Sequence, residues 1–198
     1  MLENWIEQLA PTYYCLVVKQ VGQTHWQRVL EIYEWLKLQY WYTPNERMLT
    51  TMLAVLGRAN QATLAEEIFQ GAKSTIGNCV HVYNAMMGVN ARHGGREKVE
   101  ELLQLMHSKG CKLDLVTFNI LINSCTKASH MENGSGIRLL GEVHKAGLRP
   151  NAITYNTLIT AYVASNNSAE TTNVLRDMER FGCEPDLWTY NVVIPIYG

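Results

Sequence analysis

Apolar residues recur along this chain at helical spacing. Tyr155, Leu158, Ile159 and Tyr162 stand at i, i+3, i+4 and i+7, which is one face of a helix. After a short break Thr171, Leu175 and Met178 resume that spacing, and Val99, Leu103 and Met106 repeat it earlier in the chain. Thr154 stands just before the first of these helices and is placed to cap its start. Gly110, Gly147 and Gly182 follow the second helix of each pair, where a chain leaving a helix through the left-handed region favours glycine. Pro150 and Pro185 come next and stop the helix. No segment alternates with period two, so no strand is predicted. The fold class is all-α, and its unit is helix, turn, helix.

That unit repeats. Tyr83-Asn84, Phe118-Asn119, Tyr155-Asn156 and Tyr190-Asn191 lie 35, 37 and 35 residues apart. A second signature precedes the last three: KGCKLD ends at Asp114, AGLRPN at Asn151 and FGCEPD at Asp186. TPN, ending at Asn45, is an earlier copy. Two signatures in phase at one period define an α-solenoid of helix-turn-helix repeats of about 35 residues, each too small to bury its apolar face alone. The chain divides into an N-terminal flank at 1–10, then 11–45, 46–79, 80–114, 115–151 and 152–186, with the first helix of a truncated further repeat at 187–198. Repeat 115–151 has two extra residues, expected in the loop SHMENGSG. Repeats 11–45 and 46–79 are degenerate. They keep apolar spacing (Trp26, Val29, Leu30 and Tyr33; Leu53 and Leu56), but Tyr14-Cys15 and Leu49-Thr50 replace the aromatic–Asn pair.

Composition narrows the picture mostly by exclusion. Of 198 residues 47% are hydrophobic and 18% charged, as in a folded soluble protein. Net charge is −1, so overall charge does not itself point to nucleic acid. The cysteines (Cys15, Cys79, Cys111, Cys125 and Cys183) are odd in number and form no CxxC pair, which suits free thiols in a reducing compartment. No apolar run approaches the ~18 residues that span a membrane. The N-terminus resembles neither a secretory signal nor a transit peptide. The last residues stop in mid-pattern, so the chain reads as a fragment whose targeting peptide lies elsewhere.

Catalytic and metal chemistry find no footing. No GxSxG, HExxH or phosphate-binding loop occurs. His107 and His144 lie in second helices without a thiol or carboxylate at ligand spacing, so no metal and no cofactor is expected. Glu97, Glu100 and Glu101 form a solvated face, and Gly94-Gly95 belongs to an inter-helix turn. Cys111 and Cys183 stand where Leu148 stands in a third copy, and act as small hydrophobes. Pro195 falls inside the predicted last helix and is expected to kink or fray it.

Tetratricopeptide repeats share the period but not these motifs. VTFNILINSCTK and AITYNTLITAYV, followed by a terminal Pro-Asp or Pro-Asn, resemble the P-type pentatricopeptide repeat, strongly over 80–191 and less so over 11–79. WQRVLEIYEWL followed by TPN is similar to the front of a long plant chloroplast member. The resemblance implies a right-handed stack of hairpins that binds single-stranded RNA, one nucleotide per repeat, without being an enzyme. It implies a role in organellar RNA processing: splicing, stabilisation or translation, in the chloroplast or alternatively the mitochondrion.

In such repeats the Asn after the aromatic and the last residue of the repeat read one base. Carried onto this chain, Asn84 with Asp114 implies U, Asn119 with Asn151 implies C or U, and Asn156 with Asp186 implies U. Asn191 opens a further reader. The implied target is pyrimidine-rich, with core U-(C/U)-U. The base-stacking position falls on His81, Val116, Ile153 and Trp188, where His81 departs from the usual aliphatic residue.

Elementary chemistry agrees, since an Asn amide offers donors and an acceptor to a pyrimidine edge. The residue three positions earlier lies on the same helix face, one turn away. Arg58, Arg92 and Lys127 recur at steps of 34 and 35, and a basic ladder of that kind would meet phosphates. Ala164 breaks the ladder, and the three well-matched repeats carry net charges of +1, +2 and −3.

Plainer roles stand beside these. A buried Asn early in a helix serves as a backbone partner, and Asp114 and Asp186 serve as helix N-caps. Arg58, Arg92 and Lys127 complement the helix dipole. Other RNA-processing proteins are expected partners beside the RNA; the alternative function is a protein–protein scaffold, and an enzyme whose nuclease or deaminase domain lies outside these residues is a third.

Overall fold

In the computed structural model residues 11–40, 42–43, 45–127 and 135–197 are described. Among them are eleven helices and no strand. They are α1 (Pro11–Val21), α2 (Trp26–Lys37), α3 (Glu46–Arg58), α4 (Ala62–Ile76), α5 (Val80–Arg92) and α6 (Arg96–Ser108). Then follow α7 (Leu115–Lys127), α8 (Ser135–Lys145), α9 (Ala152–Ala164), α10 (Ser168–Arg180) and α11 (Leu187–Tyr197). The loop expected to take up the two extra residues of 115–151 falls largely at 128–134, outside the described residues.

Contacts group the residues into two units. One comprises those up to His93 with Leu105–Cys111, the other Gly94–Gln104 with those from Lys112 onward. In the first, α3 packs on α1, α4 and α5. Met48, Met52, Leu53, Leu56, Phe69, Val82, Tyr83 and Met86 are all but fully buried there. The Phe69 and Tyr83 rings meet edge-on, centroids 5.6 Å apart, and the Tyr83 hydroxyl donates to the Gly77 carbonyl at 3.2 Å. Such a ring pair adds ~0.5–1.5 kcal/mol to the area it buries.

In the second unit α9 packs on α7, α10 and α11. Ile122, Leu140, Tyr155, Leu158, Ile159, Tyr162, Val174, Met178 and Val193 form its core. The Tyr162 hydroxyl accepts the N–H of Gly136, an otherwise orphaned donor in the first turn of α8. In both units the first helices of successive hairpins touch directly, α1 on α3 on α5 and α7 on α9 on α11. Of the apolar faces read from the sequence, Tyr155, Leu158, Ile159 and Tyr162 on α9 and Leu53 and Leu56 on α3 are buried in this layer.

Second helices end as the glycines foretell. Gly110, Gly147 and Gly182 adopt φ of 67°, 72° and 73°. In each case the next residue's N–H reaches back five positions: Cys111 to Met106, Leu148 to Val143 and Cys183 to Met178, all at 2.9–3.1 Å. This double-bonded end satisfies carbonyls that the helix leaves orphaned. Inside hairpins the same left-handed step is taken by Asn60, Gly94 and Asn166. Pro195 falls inside the last helix, as the sequence places it, and α11 is helical from Leu187 to Tyr197. Proline has no N–H to give to the Asn191 carbonyl, so one hydrogen bond of the helix is missing there.

Two helical glycines differ in their surroundings. A Cβ on Gly57 would stand 2.9 Å from both Val89 Cγ2 and Arg92 Nη1, whereas one on Gly71 would meet nothing within 4 Å. Gly57→Ala is therefore expected to lower stability by ~1–3 kcal/mol through overpacking, outweighing the helix propensity it gains. Gly71→Ala should raise stability by about 0.5–1 kcal/mol. Urea unfolding of both variants checks the pair, and equal effects of the two would overturn the close α3–α5 approach.

Candidate nucleic-acid interface

The first helices α7, α9 and α11 start from a capping side chain at the last residue of the preceding repeat, whereas α5 starts from Cys79 without a side-chain cap bond. Asp114 Oδ1 accepts the Thr117 N–H at 2.9 Å, Asn151 Oδ1 the Thr154 N–H at 3.1 Å, and Asp186 Oδ1 the Thr189 N–H at 2.8 Å. The threonine hydroxyls accept in return from the backbone N–H of Asp114, Asn151 and Asp186 at 3.4, 3.5 and 3.2 Å. These are reciprocal caps, in which a side chain at each end satisfies the other's backbone donor. Thr154 is thus the third residue of α9 and not its N-cap; that role belongs to Asn151, whose backbone is extended at φ −111°. Asn45 caps α3 likewise, accepting from the Met48 N–H at 2.8 Å. The plain role expected of Asp114 and Asp186 is therefore present, and each such cap is worth ~0.5–2 kcal/mol against alanine.

The asparagines sit one turn further along the first helices. Asn84 is 4% exposed, Asn119 and Asn156 are half-buried, and Asn191 is exposed. One turn before them Val116, Ile153 and Trp188 are 54%, 65% and 48% exposed, and His81 is exposed too. Large apolar side chains left in water beside half-buried amides form a surface suited to a flat, partly polar ligand.

In the second unit these features converge on a groove of about 470 Å³ lined by Asn123, Ile153, Asn156, Thr160, Ala164 and Trp188. Asn156 Oδ1 lies 2.8 Å from the Thr189 hydroxyl oxygen, which lies 2.8 Å from Asp186 Oδ1. The fifth and last residues of that repeat are therefore linked through one buried threonine. Asn119 differs: its Oδ1 is buried without a hydrogen-bond partner, while Thr154 donates to Asn151 Oδ1 at 3.1 Å.

Sequence reasoning passed over Thr117 and Thr189, although the signal was there: a threonine two before each of the last three asparagines. It also passed over Asn123 and Thr160, four residues beyond Asn119 and Asn156 on the same helix faces. Arg58 and Arg92 are exposed at the ends of α3 and α5, and the Arg92 guanidinium lies over Gly57. The side chain of Lys127 falls outside the described residues. Cys111 is buried, its thiol 3.4 Å from the Asn78 carbonyl, and burial raises its pKa. Among the described residues no group of three His, Cys, Asp or Glu is arranged to hold a metal, and no helix is long and apolar enough to cross a membrane.

The Thr189 backbone and hydroxyl hydrogen bonds hold the Asp186 carboxyl below the usual carboxylate range. A folded value below the unfolded one means that the unfolded chain binds more protons in acid. The stabilisation is thus complete above the ordinary carboxylate value and fades as pH falls through the lowered one. Asp186→Asn keeps an oxygen acceptor but cannot titrate. The wild type's advantage in thermal midpoint over Asp186→Asn is expected to be largest near neutrality and to vanish in acid; a gap unchanged across that range would contradict it.

Comparison with known proteins places the fold. Residues 138–198 match the pentatricopeptide repeat domain and residues 78–127 the PPR repeat family, together more than half of the chain. A chloroplastic pentatricopeptide repeat-containing protein of Arabidopsis thaliana is 52% identical over 128 residues, 65% of this chain and 9% of its own length. A second chloroplastic relative from that plant is 31% identical over 91% of this chain and 36% of its own. The chain therefore spans about a tenth and about a third of these two relatives. Among solved structures, the pentatricopeptide repeat protein PPR10 in complex with an 18-nt psaJ RNA element superposes with a TM-score of 0.75 at 24% identity, over 92% of this chain and 27% of that one. The nuclear proteinaceous RNase P 2 of A. thaliana gives 0.69 at 12% identity, over 94% and 41%. These likenesses establish the helical-repeat solenoid. With its two phased signatures, its capped first helices and these matches, the chain belongs to the pentatricopeptide repeat family.

Proposed function

We propose that this chain binds single-stranded RNA, one nucleotide per repeat, through the exposed edge of its first helices. The observation that carries the reading is the groove at Asn156. A half-buried amide stands there in a cleft also lined by the exposed Ile153 and Trp188, and is tied through Thr189 to Asp186. An aromatic platform of the Trp188 kind contributes ~1–3 kcal/mol per stacked base. Asn84 with Asp114, Asn119 with Asn151 and Asn156 with Asp186 read U, C or U, and U. Asn191 opens the next reader, His81, Val116, Ile153 and Trp188 flank the bases, and Arg58, Arg92 and Lys127 meet phosphates. The RNA complex of PPR10 and the chloroplastic relatives support RNA binding in a plant organelle, where the chain would act in RNA processing by occupying a site.

A scaffold role is favoured locally in the degenerate repeats. Tyr13, Leu16 and Val17 lie exposed on one face of α1, where no aromatic–Asn pair stands.

Fluorescence anisotropy at low salt tests the main reading. The wild type is expected to bind a U-(C/U)-U oligonucleotide at least about tenfold tighter than an all-A one. Asn84→Ala, Asn119→Ala and Asn156→Ala together should erase that preference while salt-sensitive binding persists. Equal affinity for both RNAs in the wild type would overturn base reading.

A further inference from the structure

We propose that Thr189 is a positioning residue for base recognition, its buried hydroxyl turning the Asn156 amide so that the Nδ2 donors face the groove. This rests on the RNA-binding reading above and adds a side chain to it. Thr189 is fully buried, so water does not compete for its hydroxyl. Two oxygens 2.8 Å apart must share a proton, and an amide oxygen carries none. The proton between Thr189 Oγ1 and Asn156 Oδ1 is therefore the threonine's. Asp186 Oδ1, which accepts the Thr189 N–H at 2.8 Å, is also 2.8 Å from Thr189 Oγ1, so the hydroxyl proton is shared between the carboxylate and the Asn156 amide oxygen. The hydroxyl in turn accepts the Asp186 N–H, which points its own proton away from that nitrogen.

With Oδ1 so engaged, Asn156 presents donors alone, complementary to a pyrimidine carbonyl, while the ionised Asp186 is acceptor-only. Repeat 115–151 supplies the contrast within the same unit. There the Thr154 hydroxyl turns to Asn151, and Asn119 Oδ1 has no partner, so nothing fixes the polarity of that amide. A held amide at Asn156 and an unheld one at Asn119 parallel the readout expected of them: one base in the first case, either pyrimidine in the second.

The test uses oligonucleotides U-C-x that differ only in x (U, C or A), with the wild type, Thr189→Ser, Thr189→Val and Thr154→Val. Thr189→Ser should keep the preference for U at x. Thr189→Val should reduce it about tenfold, the worth of one directed hydrogen bond. Thr154→Val loses an equivalent cap and should leave the preference at x unchanged, so a general loss of helix stability cannot mimic the effect. Unaltered discrimination in a folded Thr189→Val would overturn the relay and leave the RNA reading standing; a wild type indifferent to x would overturn both. Amide ¹⁵N relaxation of the wild type reads the relay without any variant. The Asn156 side-chain amide should be more rigid than that of Asn119, and equal mobility would contradict the relay.

Discussion

The rest of this structure depends on one short interaction, the acceptance of a backbone N–H by the side chain three residues before it. Asp114, Asn151 and Asp186 each make it, and each thereby fixes where a first helix begins. The start fixes the rotational phase of everything after it. Tyr155, Leu158 and Ile159 turn inward only because Asn151 sets the first turn, and the same phase leaves Ile153 in water and Asn156 at the boundary. Schellman ends at Gly110, Gly147 and Gly182 close the preceding helices a few residues upstream. Between that stop and that start the chain has little freedom left, and it is there that consecutive hairpins are joined.

Much of this was legible without coordinates because the signals were local and redundant. A glycine that must take φ near 70°, an apolar face with period 3.6, and two motifs in phase each leave a mark in sequence. The architecture, the turn glycines and the apolar faces follow from those marks. What escaped depended on which of two neighbours used a bond. Thr154 looks like a cap because hydroxyls cap helices, yet Asn151 has the extended backbone that a cap needs, and the threonine answers from inside the helix. Thr189 escaped for another reason: its bond to Asn156 joins residues 33 apart, and no single repeat displays both.

The electrostatic picture also moved from the whole to the part. Net charge gives no hint of an anionic partner, and repeat 152–186 is acidic. Yet the groove at Asn156 is lined by amides, hydroxyls and apolar groups, with no carboxylate among the residues that form it. Asp186 stands behind Thr189, its carboxylate engaged in starting α11. On the proposed reading, fixed dipoles suit recognition of neutral base edges better than formal charges do, because they discriminate donor from acceptor.

The shared cap has a consequence for how such repeats diverge. The residue that ends one repeat is also the first structural residue of the next, so its chemistry answers to two selective demands at once. A helix start tolerates a narrow set of short, oxygen-bearing side chains. On the proposed reading, that set is also the vocabulary from which the second letter of each recognition pair must be drawn. On that reading a change from Asp to Asn alters what is read while the helix still begins; a change to a residue that cannot cap forfeits the cap's ~0.5–2 kcal/mol, as at Cys79, where α5 begins without it. Folding thus restricts the alphabet before any ligand is met, and the small size of the vocabulary follows from how a helix must begin.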